Sequence, residues 1–108
     1  MPDLMVYDAA RFNAYCLATP DWQEKPFILV PNLAVEVVSP SDRLSEIYRK
    51  AGLYLEDGVQ IVWVIDFKRK TVGVFTPTGD IQTLHSGDIL SGGAILPQFT
   101  IAVSELFG

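Results

Sequence analysis

The chain has one cysteine, Cys16, and one histidine, His85. A single thiol excludes an intrachain disulfide framework, and with one histidine it cannot supply the four ligands of a Cys/His structural zinc site. Long apolar runs are also missing. The longest, Val59 to Ile65, is interrupted by Gln60 and falls far short of the roughly 20 residues needed to span a bilayer. Positive charge is scarce: 8 Lys and Arg stand against 13 Asp and Glu, for a formal net charge of −5. The only basic cluster is Lys68-Arg69-Lys70. General basicity therefore cannot hold nucleic acid by counterion release, and any such role must rest on a local site. Glycine-rich phosphate loops, dinucleotide fingerprints, internal repeats and low-complexity segments are lacking too. The opening MPDLMVYDAARF has no basic n-region and carries acids early, unlike a signal peptide. These absences lead us to expect a reducing, cytoplasmic setting with no membrane contact.

What is abundant is apolar side chain, 49% of 108 residues, with a positive mean hydropathy of +0.26. A chain of this length reads as one domain over residues 1–108, whose folding buries roughly 65% of the extended surface. So apolar a composition leaves surface to spare for a partner.

Along the chain, Asp3 to Tyr7 reads as a short strand and Asp8 to Leu17 as a short helical turn. Thr19 to Pro26 is a polar, proline-bounded loop that carries Trp22, a residue placed to touch a partner. Phe27 to Val30 is extended, and Asn32 to Val38 is a valine-rich strand. Ser39-Pro40-Ser41-Asp42 has the chemistry of a helix start, with a capping serine and proline at the first position. Leu44, Ile47, Tyr48, Ala51 and Leu55 then recur at three and four residues as one apolar stripe, which Gly58 ends. Gln60 to Ile65 is apolar without alternation, as in a strand covered on both faces, with Trp63 in the core. A hairpin follows (Thr71 to Thr76, Ile81 to Leu84), then a β-like stretch around Phe99 to Val103 and a last helical turn at Ser104 to Phe107. A helix joining two apolar strands predicts a parallel pair with a right-handed crossover. The class is mixed α/β, a mixed sheet with one main crossover helix and a C-terminal antiparallel extension.

Glu36 is the least ordinary residue. In Leu33-Ala34-Val35-Glu36-Val37-Val38, alternation puts it on a face shared with Ala34 and Val38. A buried, unpaired carboxylate there costs several kcal/mol, so it needs a cation, a metal or a proton, unless its face is wet at a sheet edge. Lys50 falls at the border of the helical stripe, where its stem can lie along the sheet and its amine can reach inward or into solvent. Asp3 follows Pro2 at the head of the first strand. Among other candidates, Asp66 reads as a cap for the basic turn, with support of the metal ligands from behind as the lesser reading, Tyr54 as helix–sheet packing more than a catalytic acid, His85 as a surface residue and Cys16 as a buried thiol.

Taken together, Pro2-Asp3, the stretch Val35-Glu36-Val37-Val38-Ser39-Pro40-Ser41-Asp42-Arg43, Lys50 through Val59, and Val62 through Asp66 resemble the landmarks of the Uma-type restriction endonucleases. That family belongs to the PD-(D/E)XK nuclease superfamily. The likeness runs nearly the whole length, including the tail at Leu96-Pro97-Gln98-Phe99. It implies a restriction-endonuclease-like fold and a Mg²⁺-dependent (or Mn²⁺-dependent) DNA endonuclease. Asp3 and Glu36 would be the metal ligands, and Asp3, Glu36 and Lys50 the catalytic set. The superfamily's basic pattern places the lysine two residues after the second acid, where this chain has Val38; the Uma-type arrangement moves it to the next helix, as with Lys50. Family members carry a segment before the aspartate strand, so the chain reads as shortened at its N-terminus. An uncovered sheet is then expected to pair with a second copy as a dimer. The other reading is a non-catalytic binding or assembly module on the same fold.

Overall fold

The computed structural model describes residues 2–20 and 29–108. Trp22 and most of its loop, with Phe27 and Ile28, lie outside the described residues. The chain opens with β1 (Leu4–Val6) and then α1 (Ala9–Ala18). Asp8 caps α1, its carboxylate accepting from the N–H groups of Ala10 and Arg11 at 2.9 and 3.2 Å. The expected single turn is thus a helix of 10 residues. It buries no side chain, and Cys16, expected to be buried, is half-exposed on it. The helix is tethered instead by Arg11, whose guanidinium donates to Asn32 Oδ1 at 2.7 Å and to the Val30 carbonyl at 3.0 Å.

Next come β2 (Leu33–Val38), α2 (Leu44–Glu56) and β3 (Ile61–Asp66). β2 and β3 pair in parallel, Glu36 opposite Val64 and Val38 opposite Asp66. The helix does not begin at Ser39. The Asp42 carboxylate accepts from the Ser39 N–H at 2.8 Å and the Asp42 N–H donates to the Ser39 carbonyl at 3.0 Å. Those bonds close a turn of their own, and α2 starts two residues after Asp42, with Arg43 at its N-cap position and no side-chain cap. The local hydrogen-bonding of Ser and Asp, which favours caps, here favours the turn.

From β3 the chain reverses into β4 (Thr71–Phe75) and β5 (Ile81–Leu84), completing a five-stranded sheet in the order β1-β2-β3-β4-β5. A second hairpin, β6 (Ile89–Gly92) and β7 (Leu96–Ala102), leads to the short α3 (Val103–Leu106). Sequence reading anticipated part of β7 but not β6, because Ile89-Leu90-Ser91-Gly92 is too short and too glycine-bounded to show alternation.

The two faces of the sheet bury different residues. Ala34, Val62, Val64 and Phe75 pack under Ile47 and Ala51 of α2. Leu33, Val35, Trp63, Ile65, Val72 and Leu84 pack on the other face against Leu90 and Val103 from the β6–β7 hairpin and α3. Double cover explains the apolar run of β3. The architecture is mixed α+β, and Glu36 lies on the α2 side of its centre.

Candidate active site

β1 runs antiparallel to β2, with Leu4 opposite Val35 and Met5 opposite Ala34. Continuing that register by one residue sets Asp3 against Glu36, and paired residues project to the same face. Asp3 is tied there: its Oδ2 accepts the Val37 N–H at 2.7 Å. Glu36 is buried, at 4% exposure. It has no ion pair among the described residues. One of its oxygens, Oε1, accepts the Tyr54 hydroxyl at 2.7 Å. Burial, the hydrogen bond to Glu36 and the negative charges of Glu36 and Asp3 together hold the Tyr54 phenol protonated, well above its usual range. Both carboxylates therefore bear on one hydroxyl.

Tyr54 belongs to the stretch of α2 that packs on the sheet. Lys50 precedes it by four residues, one turn along the same helix, and is half-buried. The helix that carries it covers the Glu36 face of the sheet, and Lys50 makes no hydrogen bond or ion pair among the described residues. Its charge bears on Asp42, whose carboxyl is lowered first by the Ser39 backbone N–H, then by the Ser39 side chain and, more weakly, by Lys50. The sequence favours packing over a catalytic role for Tyr54 and does not reveal its bond to Glu36. The available signal was its spacing of one turn from Lys50.

Asp3 Oδ1 and Glu36 Oε2 carry no hydrogen bond from the described residues. Two carboxylates, each with one oxygen engaged and one open, make a hard oxygen donor set that suits Mg²⁺ or Mn²⁺ and offers nothing to a soft metal. Among the described residues no group of three or more Asp, Glu, His or Cys side chains forms a fuller cage.

A groove of about 610 Å³ opens where the parallel strands end, lined by Val38, Ser39, Pro40, Asp42, Leu44, Asp66, Phe67, Lys68 and Arg69. Asp66 caps its turn as expected: Oδ1 accepts the Arg69 N–H and Oδ2 the Arg69 guanidinium, both at 3.0 Å. His85 is exposed and Trp63 buried, as read from the sequence.

Residues 1–104 match the family model Uma2, described as "Putative restriction endonuclease". The chain belongs to that family. Its fold is also seen in a crystal structure described as a putative nuclease belonging to DUF820 from Anabaena variabilis, with a TM-score of 0.70 and 21% sequence identity. The match covers 75% of this chain and 46% of the Anabaena protein, so this chain spans less than half of that relative. The restriction-endonuclease-like fold expected from the sequence is the one observed. A comparison with curated proteins found no match.

Proposed function

We propose that this Uma2-family chain is a Mg²⁺- or Mn²⁺-dependent DNA endonuclease, with Asp3 and Glu36 as metal ligands and Lys50 as the catalytic cation. The observation that carries the reading is Glu36: a buried carboxylate, set against Asp3 by strand register, with no ion pair among the described residues. A divalent ion held there would lower the pKa of a bound water and offset charge on the phosphate.

The chain's own residues do the rest. Tyr54 donates to Oε1 of Glu36 and fixes its rotamer, leaving Oε2 open. The Val37 N–H does the same for Asp3. Hydrolysis forms a bond from water oxygen to phosphorus while one phosphorus–oxygen ester bond breaks, and the departing oxygen takes a proton. Negative charge gathers on the phosphate oxygens as this happens, and the Lys50 ammonium stabilises it.

The test has two arms. Mn²⁺ relaxation or calorimetry should detect weak binding by the wild-type chain and none by Glu36→Gln. Plasmid nicking in Mg²⁺ should disappear in Lys50→Ala. Equal ion binding by wild type and Glu36→Gln would remove the metal site from Glu36, and nicking that survives Lys50→Ala would come from another source.

A second reading, assembly as a homodimer, is favoured by a specific feature. β1 is an edge strand of the sheet, and Leu4 and Met5 on it are 57% and 36% exposed. No charged side chain within β1 guards that edge, and such edges recruit strands from other chains.

A further inference from the structure

Positive charge is scarce in this chain, yet it collects at one end of the sheet. Lys68, Arg69 and Lys70 form the β3–β4 turn, and Arg43 sits between β2 and α2, so all four lie where the parallel strands end. Two acids line the groove there. Asp66 is paired with Arg69, while Asp42 accepts from the Ser39 N–H and keeps its negative charge. Among the described residues Arg43, Lys68 and Lys70 make no ion pair; the groove lining itself holds Lys68 and Arg69 against Asp42 and Asp66, and the positive excess at this end of the sheet comes from Arg43 and Lys70, each next in sequence to a lining residue. Lys70 moreover holds φ at 56°, the left-handed region that glycine or asparagine occupies more cheaply. A lysine stands at that strained position, one residue beyond Arg69, which lines the groove.

Phe67 lines the same groove with about half of its ring open, 51% exposed, although Phe107 packs edge-on against it at 5.2 Å. An open aromatic ring beside basic residues, in a groove, is the arrangement that takes unpaired bases by stacking while cations track the backbone. The groove also starts close to the carboxylates. Val38 follows Glu36 by two residues on the same face of β2, roughly 6.6 Å along the strand.

We propose that this groove binds a single nucleic-acid strand, with Lys68 and Lys70 on successive phosphates and a base stacked on Phe67. The choice of nucleic acid as the polyanion rests on the nuclease reading; the anion site itself does not. Bound in this way, the strand extends away from Asp3, Glu36 and Lys50, and the groove positions it without touching the reacting phosphate.

The experiment is fluorescence anisotropy of a labelled single-stranded oligonucleotide, in EDTA and across a salt series, with a duplex of the same sequence as competitor. The variant Lys68→Ala/Lys70→Gly removes both charges and relieves the left-handed strain, so its melting temperature should hold or rise. Its binding should weaken by at least tenfold at low salt. The slope of log affinity against log salt should become shallower by about 1.4, two contacts at ~0.7 each for a single strand. Phe67→Ala should lose about fivefold or more in affinity with the slope unchanged, as a stacking contact would. Unchanged affinity and slope in the double variant would overturn the proposal, as would a duplex that competes as well as the single strand. Because EDTA removes divalent ions, loss of metal binding or nicking elsewhere leaves this result standing, and the reverse also holds.

Discussion

Tyr54 and Asp66 show how single side chains set the local chemistry. Tyr54→Phe deletes the one donor to buried Glu36 Oε1 without changing the shape of the helix–sheet contact. Leaving that oxygen unsatisfied should cost about 1–3 kcal/mol, read from urea unfolding, and should weaken Mn²⁺ binding by freeing the Glu36 rotamer. An equal midpoint in the variant would mean that water reaches Glu36 and the bond is incidental. Asp66 is subject to opposing effects. Burial pushes its carboxyl up, but the Arg69 backbone N–H, side-chain hydrogen bond and charge, with the Lys68 N–H, outweigh burial and hold it below the usual carboxylate range. Its folded value lies below its unfolded one. The contribution to stability is therefore fully present above pH ~4 and lost as pH falls through the folded value. An acid titration of melting temperature should show that loss in wild type and a flatter acid limb in Arg69→Ala. Arg69 is more than half exposed, so solvent screening limits the size of the effect.

At the scale of elements, the β6–β7 hairpin depends on one glycine. The register slips between Ser91 and Gly92, and Gly92 pairs with Leu96 across a tight reversal in which Gly93 takes φ +60°. A Cβ at position 92 would sit 2.6 Å from the Leu96 carbonyl oxygen and closer still to the Leu96 side chain. Backbone cannot yield as a flexible side-chain tip can. Gly92→Ala should then destabilise the protein by about 1–3 kcal/mol, the range for overpacking. Gly52→Ala, which meets open space on α2, should hold or raise the melting temperature through helix propensity. Comparing the two by thermal melt separates steric conflict from a general intolerance of alanine.

At the scale of the molecule, one sheet carries two cores, and α2 shelters one face while the β6–β7 hairpin and α3 shelter the other. Its β1 edge, with Leu4 and Met5 exposed, has no strand beyond it among the described residues. Pairing through that edge predicts a two-fold dimer burying at least roughly 1,000 Å² in total. Light scattering should give twice the mass of the 11.9 kDa chain, and the melting temperature should climb with protein concentration. A monomer mass with a concentration-independent melt would remove the dimer. Among the described residues no helix is long and apolar enough to cross a membrane, in line with the short apolar runs of the sequence.

Much of this was legible in the residues alone. The apolar run of β3 and the two hairpin strands after it depend on local spacing, and each formed within a residue of its expected limits; the period of three and four marked α2, although the helix starts at Leu44 and not at Ser39-Pro40. Glu36 could be picked out because a carboxylate among strand valines needs a partner wherever the strand goes. What sequence could not show is which partner. The Tyr54 hydroxyl reaches Glu36 only because β2 and α2 pack face to face, 18 residues apart in the chain. Asp3 falls opposite Glu36 only when the β1–β2 register, which joins residues about 30 apart in the chain, is extended by one residue, and hydrophobic alternation leaves that register undetermined at a three-residue strand. Likewise, Ser39-Pro40-Ser41-Asp42 could have capped a helix or closed a turn, since its local hydrogen bonds serve either. The direction in which α2 had to leave β2 to cover the sheet decided between them, because burial of Ile47 and Ala51 outweighs the choice of a cap.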